Sequence, residues 1–276
     1  MSQLMGIKTT LTLQQAQRLF PGYHIERLQE THDGVVDTTY IAYSVQKRYI
    51  LKRFERATNE KIAQEQALLK LLKRAKLNVP TLLDQNRSWY LYSLLEGSQP
   101  SAIGVGHIRA LGRFISKMHC HLYTYPHTQR VLDPEVIDTA LQTIKAKHYR
   151  HYRDFAYLRH HREPIDGTIH GDIFKDNTVF NGHKMGLFDF IDAGLGSFAF
   201  DAAVSLLSFS APGRRKLFCN LFLTRYNQRR NVKLKREEIE RALKVAADFY
   251  ALKRLERGAP VREVNRLIKE SHAPRR

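Results

Sequence analysis

Cysteine is scarce: Cys120 and Cys219 are the only two in 276 residues. Two thiols so far apart build neither a disulfide framework nor a clustered zinc site, and they fit a reducing compartment. Long apolar runs are missing too. The most apolar stretch, residues 187–209, carries Asp189, Asp192 and Asp201, each costly to leave in hydrocarbon, so no transmembrane segment is expected. The opening residues lack the apolar core of a secretory signal, which makes the cytoplasm the expected location. No Pro, Gly or Ser tract and no internal repeat interrupts the chain, which argues against disorder and repeat architectures.

Acidic residues are outnumbered: 27 Asp and Glu stand against 45 Lys and Arg, a net charge of +18. Residues 213–276 alone hold 19 basic and 7 acidic side chains. Such a basic part either forms solvated helix faces or attracts an anionic substrate or surface. No zinc-finger spacing, RNP-like aromatic strand or basic zipper accompanies it, so no specific nucleic-acid reader is expected. With 43% hydrophobic and 26% charged residues, the composition is that of an ordinary globular protein, long enough for one large domain or two lobes.

What is present falls into two parts. Residues 12–20 read as a short helix stopped by Pro21 and Gly22, and strand patterns follow at 23–30, 38–45 and 48–54. Thr58 or Asn59 caps a helix running to about Lys76. Its apolar stripe contains Ile62, Leu69 and Leu72, and Glu65 falls on that stripe. Residues 88–97 give another strand. Beyond it, Ile108, Leu111, Ile115, Met118 and Leu122 recur at helical spacing, and further helices are expected near 133–160, 199–209, 213–230 and 236–257. The expected architecture is α+β, with a strand-rich lobe over residues 1–95, a mainly helical lobe over 96–276, and a cleft between them.

The chemistry concentrates where the helical part is interrupted. Residues 170–180 read HGDIFKDNTVF, and residues 188–194 read FDFIDAG. Asn181 and Gly182 form the strongest hairpin signal in the chain, and a hairpin there returns Asp189 toward Asn177. A carboxylate and an amide oxygen are hard ligands of the kind Mg²⁺ accepts alongside water and phosphate oxygens. The Asp172 to Asn177 interval, D-x-x-x-x-N, is that of a kinase catalytic loop, where the Asp takes the proton of the acceptor hydroxyl and the Asn holds a metal ion. Asp189 stands where a metal-bridging Asp would, and Lys175 adds positive charge near the transferred group. His170 reads as a hydrogen-bonding support for the loop, and Asp201 as a pin for a helix start or for the loop. Asp176 and Asp192 read equally as turn caps. Upstream, Lys52 on a strand supplies a cation for nucleotide phosphates, with Glu65 as its helix carboxylate and Glu60 as the alternative.

These motifs resemble the signature of the aminoglycoside phosphotransferase and choline kinase superfamily, which has a two-lobed protein-kinase-like fold. GVVDTTY at 34–40, YILKRFE at 49–55 and FYALKRLE at 249–256 resemble the bacterial type II homoserine kinases within it. The resemblance implies ATP and Mg²⁺ as cofactors, Asp172 as catalytic base, Asn177 and Asp189 as magnesium ligands, Lys52 on the ATP phosphates and Glu65 holding Lys52. It further implies that residues 34–39, with Gly34, Asp37, Thr38 and Thr39, cover the phosphates, and that residues 92–97, with Glu96, lie beside adenine. Strong positive charge suits a zwitterionic or anionic acceptor better than a polycation. Homoserine or a similar small hydroxyl compound is therefore expected first. Another acceptor (a phosphorylated or lipid-linked sugar, an amino alcohol, an aminoglycoside) and a non-catalytic, polyanion-binding module of the same fold remain open.

Overall fold

Period-two alternation builds the sheet and sorts its side chains. In the computed structural model, which describes residues 9–31, 36–231 and 233–271, helix α1 (Leu13–Leu19) is followed by strands β1 (Arg27–Glu30), β2 (Thr38–Tyr43) and β3 (Arg48–Arg53). Helix α2 (Asn59–Arg74) and strands β4 (Leu82–Asn86) and β5 (Trp89–Ser93) complete an antiparallel five-stranded sheet in the order β1-β2-β3-β5-β4. Thr38, Tyr40 and Ala42 alternate onto the buried face of β2, and Tyr40 faces Leu51 across β3. With Leu11, Ala16, Phe20, Ile25 and Leu91 they make a core in which each fully buried leucine contributes ~1.5–3 kcal/mol. The opposite face carries Thr39 paired with Lys52. Thr58 caps α2 by accepting the Lys61 N–H, and the buried face of α2 is Ile62, Glu65, Leu68, Leu69 and Leu72.

The rest of the chain is mainly helical. Helices α3 (Val105–Leu122), α4 (Pro134–Lys145) and α5 (Tyr149–Phe155) precede strands β6 (Gly167–Ile169), β7 (Thr178–Asn181), β8 (Lys184–Leu187) and β9 (Gly194–Gly196). Helices α6 (Phe198–Phe209), α7 (Arg215–Tyr226), α8 (Arg236–Glu256) and α9 (Val261–Ser271) follow. β6 pairs with β9 and β7 with β8. Ser197 caps α6 by accepting the Phe200 N–H at 3.0 Å, which sets Asp201 in the first turn of an otherwise apolar, buried helix. No helix among the described residues is long and apolar enough to cross a membrane.

The chain forms two compact units, Met1–Gly97 with Gly186–Ile191, and Ser98–Met185 with Asp192–Arg276. The first thus takes in a short segment from deep within the helical part, which a single division at residue 95 does not foresee. Other expectations are adjusted as well. Residues 21–23 form a 3₁₀ turn, so β1 starts only at Arg27; β4 and α9 occur where no element was expected; and the stretch expected to be helical at 133–160 is broken into α4, α5 and a 3₁₀ turn. α9 is amphipathic, with Val264 and Leu267 buried in a polar sequence. The hairpin turns at residues 182–183, with Gly182 at φ +57° and Asn181 ending β7.

Candidate functional site

In the first unit, charge gathers around Lys52. Its Nζ lies 2.9 Å from Asp189 Oδ1 and 3.1 Å from Asp37 Oδ2, and 4.4 Å from the centre of the Phe54 ring. Burial opposes the ammonium, but Asp189, Glu65 and Asp37 outweigh it and hold the lysine above its ordinary pKa. Glu65 acts on Lys52 through its charge, while its oxygens are hydrogen-bonded elsewhere. Its Oε1 accepts the Phe190 N–H at 3.2 Å and its Oε2 accepts the Tyr92 hydroxyl at 3.4 Å. Burial pushes its carboxyl up to about 7 despite the opposing pull of Lys52. Glu65 therefore grips the peptide that follows Asp189. Asp189 itself has φ +66°, a left-handed conformation that non-glycine residues rarely adopt and that costs ~1 kcal/mol or more unless its surroundings fix it.

The other residues expected around the nucleotide separate. Asp37 Oδ1 accepts the Glu55 N–H at 3.2 Å, so both of its oxygens serve the Lys52 cluster and the β3 end. Thr38 is fully buried on the core face, its hydroxyl donating to Glu55 Oε1 at 2.6 Å, which removes it from the group expected to cover phosphates. The reason is strand parity: Thr38 shares the face of Tyr40, whereas Thr39 shares that of Lys52. Glu96 is exposed in the bend after β5. Gly34 lies outside the described residues.

In the second unit, Asp172 is fixed by its own turn. Its N–H donates to His170 Nδ1 at 3.1 Å, and Asn177 Nδ2 donates to both its carbonyl oxygen, at 2.9 Å, and its Oδ2, at 2.8 Å. With Nδ2 so used, Oδ1 is the end of Asn177 suited to a cation. Gly171 has φ +78°, and a Cβ there would meet both Val131 methyls at 3.0 Å, so the turn requires glycine. Asp201 anchors it: Oδ2 accepts the His170 N–H at 3.0 Å and Oδ1 the Gly171 N–H at 2.8 Å. His119 Nε2 lies 2.9 Å from Asp201 Oδ2, and its Nδ1 2.8 Å from the Tyr226 hydroxyl. A carboxylate only accepts, so His119 carries its proton on Nε2 and Tyr226 donates to Nδ1. Burial, more than offsetting the pull of Asp201, lowers the His119 pKa and keeps the ring neutral. Lys175 is exposed, its backbone N–H held by Ser208 Oγ at 2.8 Å.

Sequence reasoning missed Tyr250, whose hydroxyl donates to the Gly171 carbonyl and hydrogen-bonds Asp172. It also missed His119, and the pairing of Asp37 with Lys52. Thr38 was findable from its period-two spacing to Tyr40 and Ala42.

The oxygens fit a divalent metal. Among the described residues no group of three or more His, Cys, Asp or Glu could hold an ion unaided, but magnesium held with a nucleotide needs only one or two protein oxygens. Three carboxylates act on one ammonium around Lys52, an excess of negative charge that a divalent cation offsets.

Comparisons with known proteins bear on the family and the fold. A homoserine kinase of Janthinobacterium sp. (strain Marseille) is 23% identical over 229 residues, covering 73% of this chain and 71% of that protein. One of Polaromonas naphthalenivorans (strain CJ2) is 25% identical over 228 residues, covering 73% and 72%. The solved amicoumacin kinase hAmiN, in complex with AMP-PNP, Ca²⁺ and Ami, superposes with a TM-score of 0.69 over 94% of this chain and 91% of that one, at 17% identity, a likeness of fold. The fold is thus protein-kinase-like. Residues 27–230 match the model of the phosphotransferase enzyme family, and over so much of its length the match shows that the chain belongs to that family.

Proposed function

We propose that the protein is an ATP- and magnesium-dependent kinase that phosphorylates a hydroxyl of a small molecule, with homoserine as the leading acceptor. The observation that carries this is the Asp172 carboxylate held by the Asn177 amide within one turn, the interval at which a general base and a metal ligand are needed. Asp172 takes the proton of the acceptor hydroxyl as its oxygen bonds to the γ-phosphorus and the bond to the departing ADP breaks. Asn177 and Asp189 would each offer an oxygen to magnesium, and Lys52 would exchange carboxylate partners for nucleotide phosphate oxygens. Bound magnesium supplies neutralisation of the β and γ phosphates. Thr39 is the residue of β2 on the nucleotide side, since it shares a face with Lys52. Asp37 acts through Lys52, and Lys175 and Glu96, both exposed, are left as residues that meet substrate only when it is bound.

Two observations favour homoserine: the relatives at 23% and 25% identity carry that name, and a chain of net charge +18 suits a zwitterionic acceptor. The basic residues after 213 suit an anionic acceptor equally, so phosphorylated sugars belong in the same trial. In that trial, purified protein with Mg-ATP is offered homoserine, amino alcohols, sugar phosphates and aminoglycosides, and ADP release is followed. Homoserine-dependent release that EDTA abolishes is expected. Release stimulated only by another compound would reassign the acceptor, and no stimulated release from any would sink the kinase proposal.

A further inference from the structure

Helix α8 passes the Asp172 turn, and the side chain it presents there is Tyr250. The hydroxyl donates to the Gly171 carbonyl and hydrogen-bonds the Asp172 side chain. A phenol has one proton, and Tyr250 presents it to the Gly171 carbonyl beside the neighbouring carboxylate. Geometry holds the ring as well. Phe174, from the same turn, meets it edge-on with centroids 4.7 Å apart, and Phe249 meets it at 5.3 Å. Burial, then the negative charges of Asp172, Asp192 and Asp201, raise the phenol well above its ordinary pKa, so it stays a neutral donor.

The other supports of the turn act elsewhere. Asp201 holds the N–H groups of His170 and Gly171, and His170 holds the Asp172 N–H. These bonds fix the backbone. Asn177 and Tyr250 act on the Asp172 side chain itself, and Asn177 is also assigned to the metal. Loss of the Tyr250 hydroxyl would remove one restraint from the Gly171 carbonyl and from the Asp172 carboxylate while the Asp201 and His170 bonds keep the turn, and a misaimed base loses rate without losing nucleotide affinity.

We infer that Tyr250 is a positioning residue: its hydroxyl, delivered by α8, locks the Asp172 carboxylate in the orientation that receives the acceptor's proton. The inference rests on the kinase proposal for its consequence in rate, but the hold on the turn is measurable without it.

The experiment compares wild type, Tyr250→Phe, Asp172→Asn and Val245→Ala, the last altering the packing of the same helix at a buried position more than a turn from Tyr250. Turnover is read as ADP release with Mg-ATP, with and without homoserine, and amide exchange is followed over residues 170–177. Tyr250→Phe is expected to lower kcat about 10- to 100-fold with the nucleotide KM within about 3-fold of wild type. It should speed exchange over 170–177 by about 10-fold while the melting temperature moves only a few degrees. Val245→Ala should leave exchange there unchanged. Wild-type kcat in Tyr250→Phe beside an inactive Asp172→Asn would overturn the inference and spare the kinase proposal. So would equal losses in Tyr250→Phe and Val245→Ala, which would reduce Tyr250 to packing. A wild type without turnover would count against the kinase proposal instead, and exchange alone would then decide whether Tyr250 holds the turn.

Discussion

Around Lys52 side chains hold one another by charge, whereas the Asp172 turn is held by hydrogen bonds to the Asp201 carboxylate, the Asn177 amide, the Tyr250 hydroxyl and the His170 ring. The first arrangement draws on residues 37, 52, 65 and 189 and carries more negative than positive charge. Its balance shifts with whatever ion or phosphate arrives. The second is a lattice of short bonds in which each donor has its acceptor, and it shifts only when a bond is lost. A group that must change partners is held by charge, and a group that must keep its aim is held by hydrogen bonds.

That contrast can be broken in stages. The largest effect is expected from Asp201→Asn, which replaces an acceptor-only carboxylate by an amide that must set an N–H against one of three buried donors. Stability should fall by ~2–4 kcal/mol, read by denaturant unfolding, together with most turnover. Unchanged stability would show that the turn holds without this anchor.

The charge-held region should respond instead to pH. The Glu65 carboxyl, at about 7 against an ordinary 4.5, favours the folded state when protonated. Its contribution is fully present below about 4.5 and lost as pH rises through 7. Relative to Glu65→Gln, wild type should therefore lose up to ~3 kcal/mol of stability across that interval, seen as a widening gap between their melting temperatures. A gap independent of pH would mean that Glu65 titrates alike in the folded and the unfolded chain.

The smallest effect tests the parity of β2. Thr38→Val should cost ~1 kcal/mol through the lost bond to Glu55 and leave the nucleotide KM unchanged. A several-fold rise in KM would return Thr38 to the phosphates.

Legibility followed the range of the interaction. The Asp172 to Asn177 interval, the Gly182 turn and the burial of Glu65 are local or periodic, and each could be read from a few neighbouring residues. Asp201 as a pin for the loop was also legible, because an acid in the first turn of an apolar helix needs donors. Tyr250 reaches a residue 79 positions away and His119 one 82 positions away, and no spacing encodes such meetings. The partners of Lys52 divide the same way: Glu65, on the apolar stripe, acts on the ammonium by charge while its oxygens meet a peptide N–H and a phenol, and the direct ion pairs come from Asp37, just before β2, and from Asp189, far along the chain.

The segment Gly186–Ile191 belongs with the first unit while the residues on both sides of it belong with the second. Neither unit is therefore one continuous stretch of chain. A recombinant that imports the first unit from another member of the family by a single crossover after Gly97 would inherit a foreign lysine strand and keep its own Asp189. Matching the two requires three joints, after Gly97, Met185 and Ile191. Shuffling at domain borders, which serves modular proteins well, would here unpair the lysine from its aspartate.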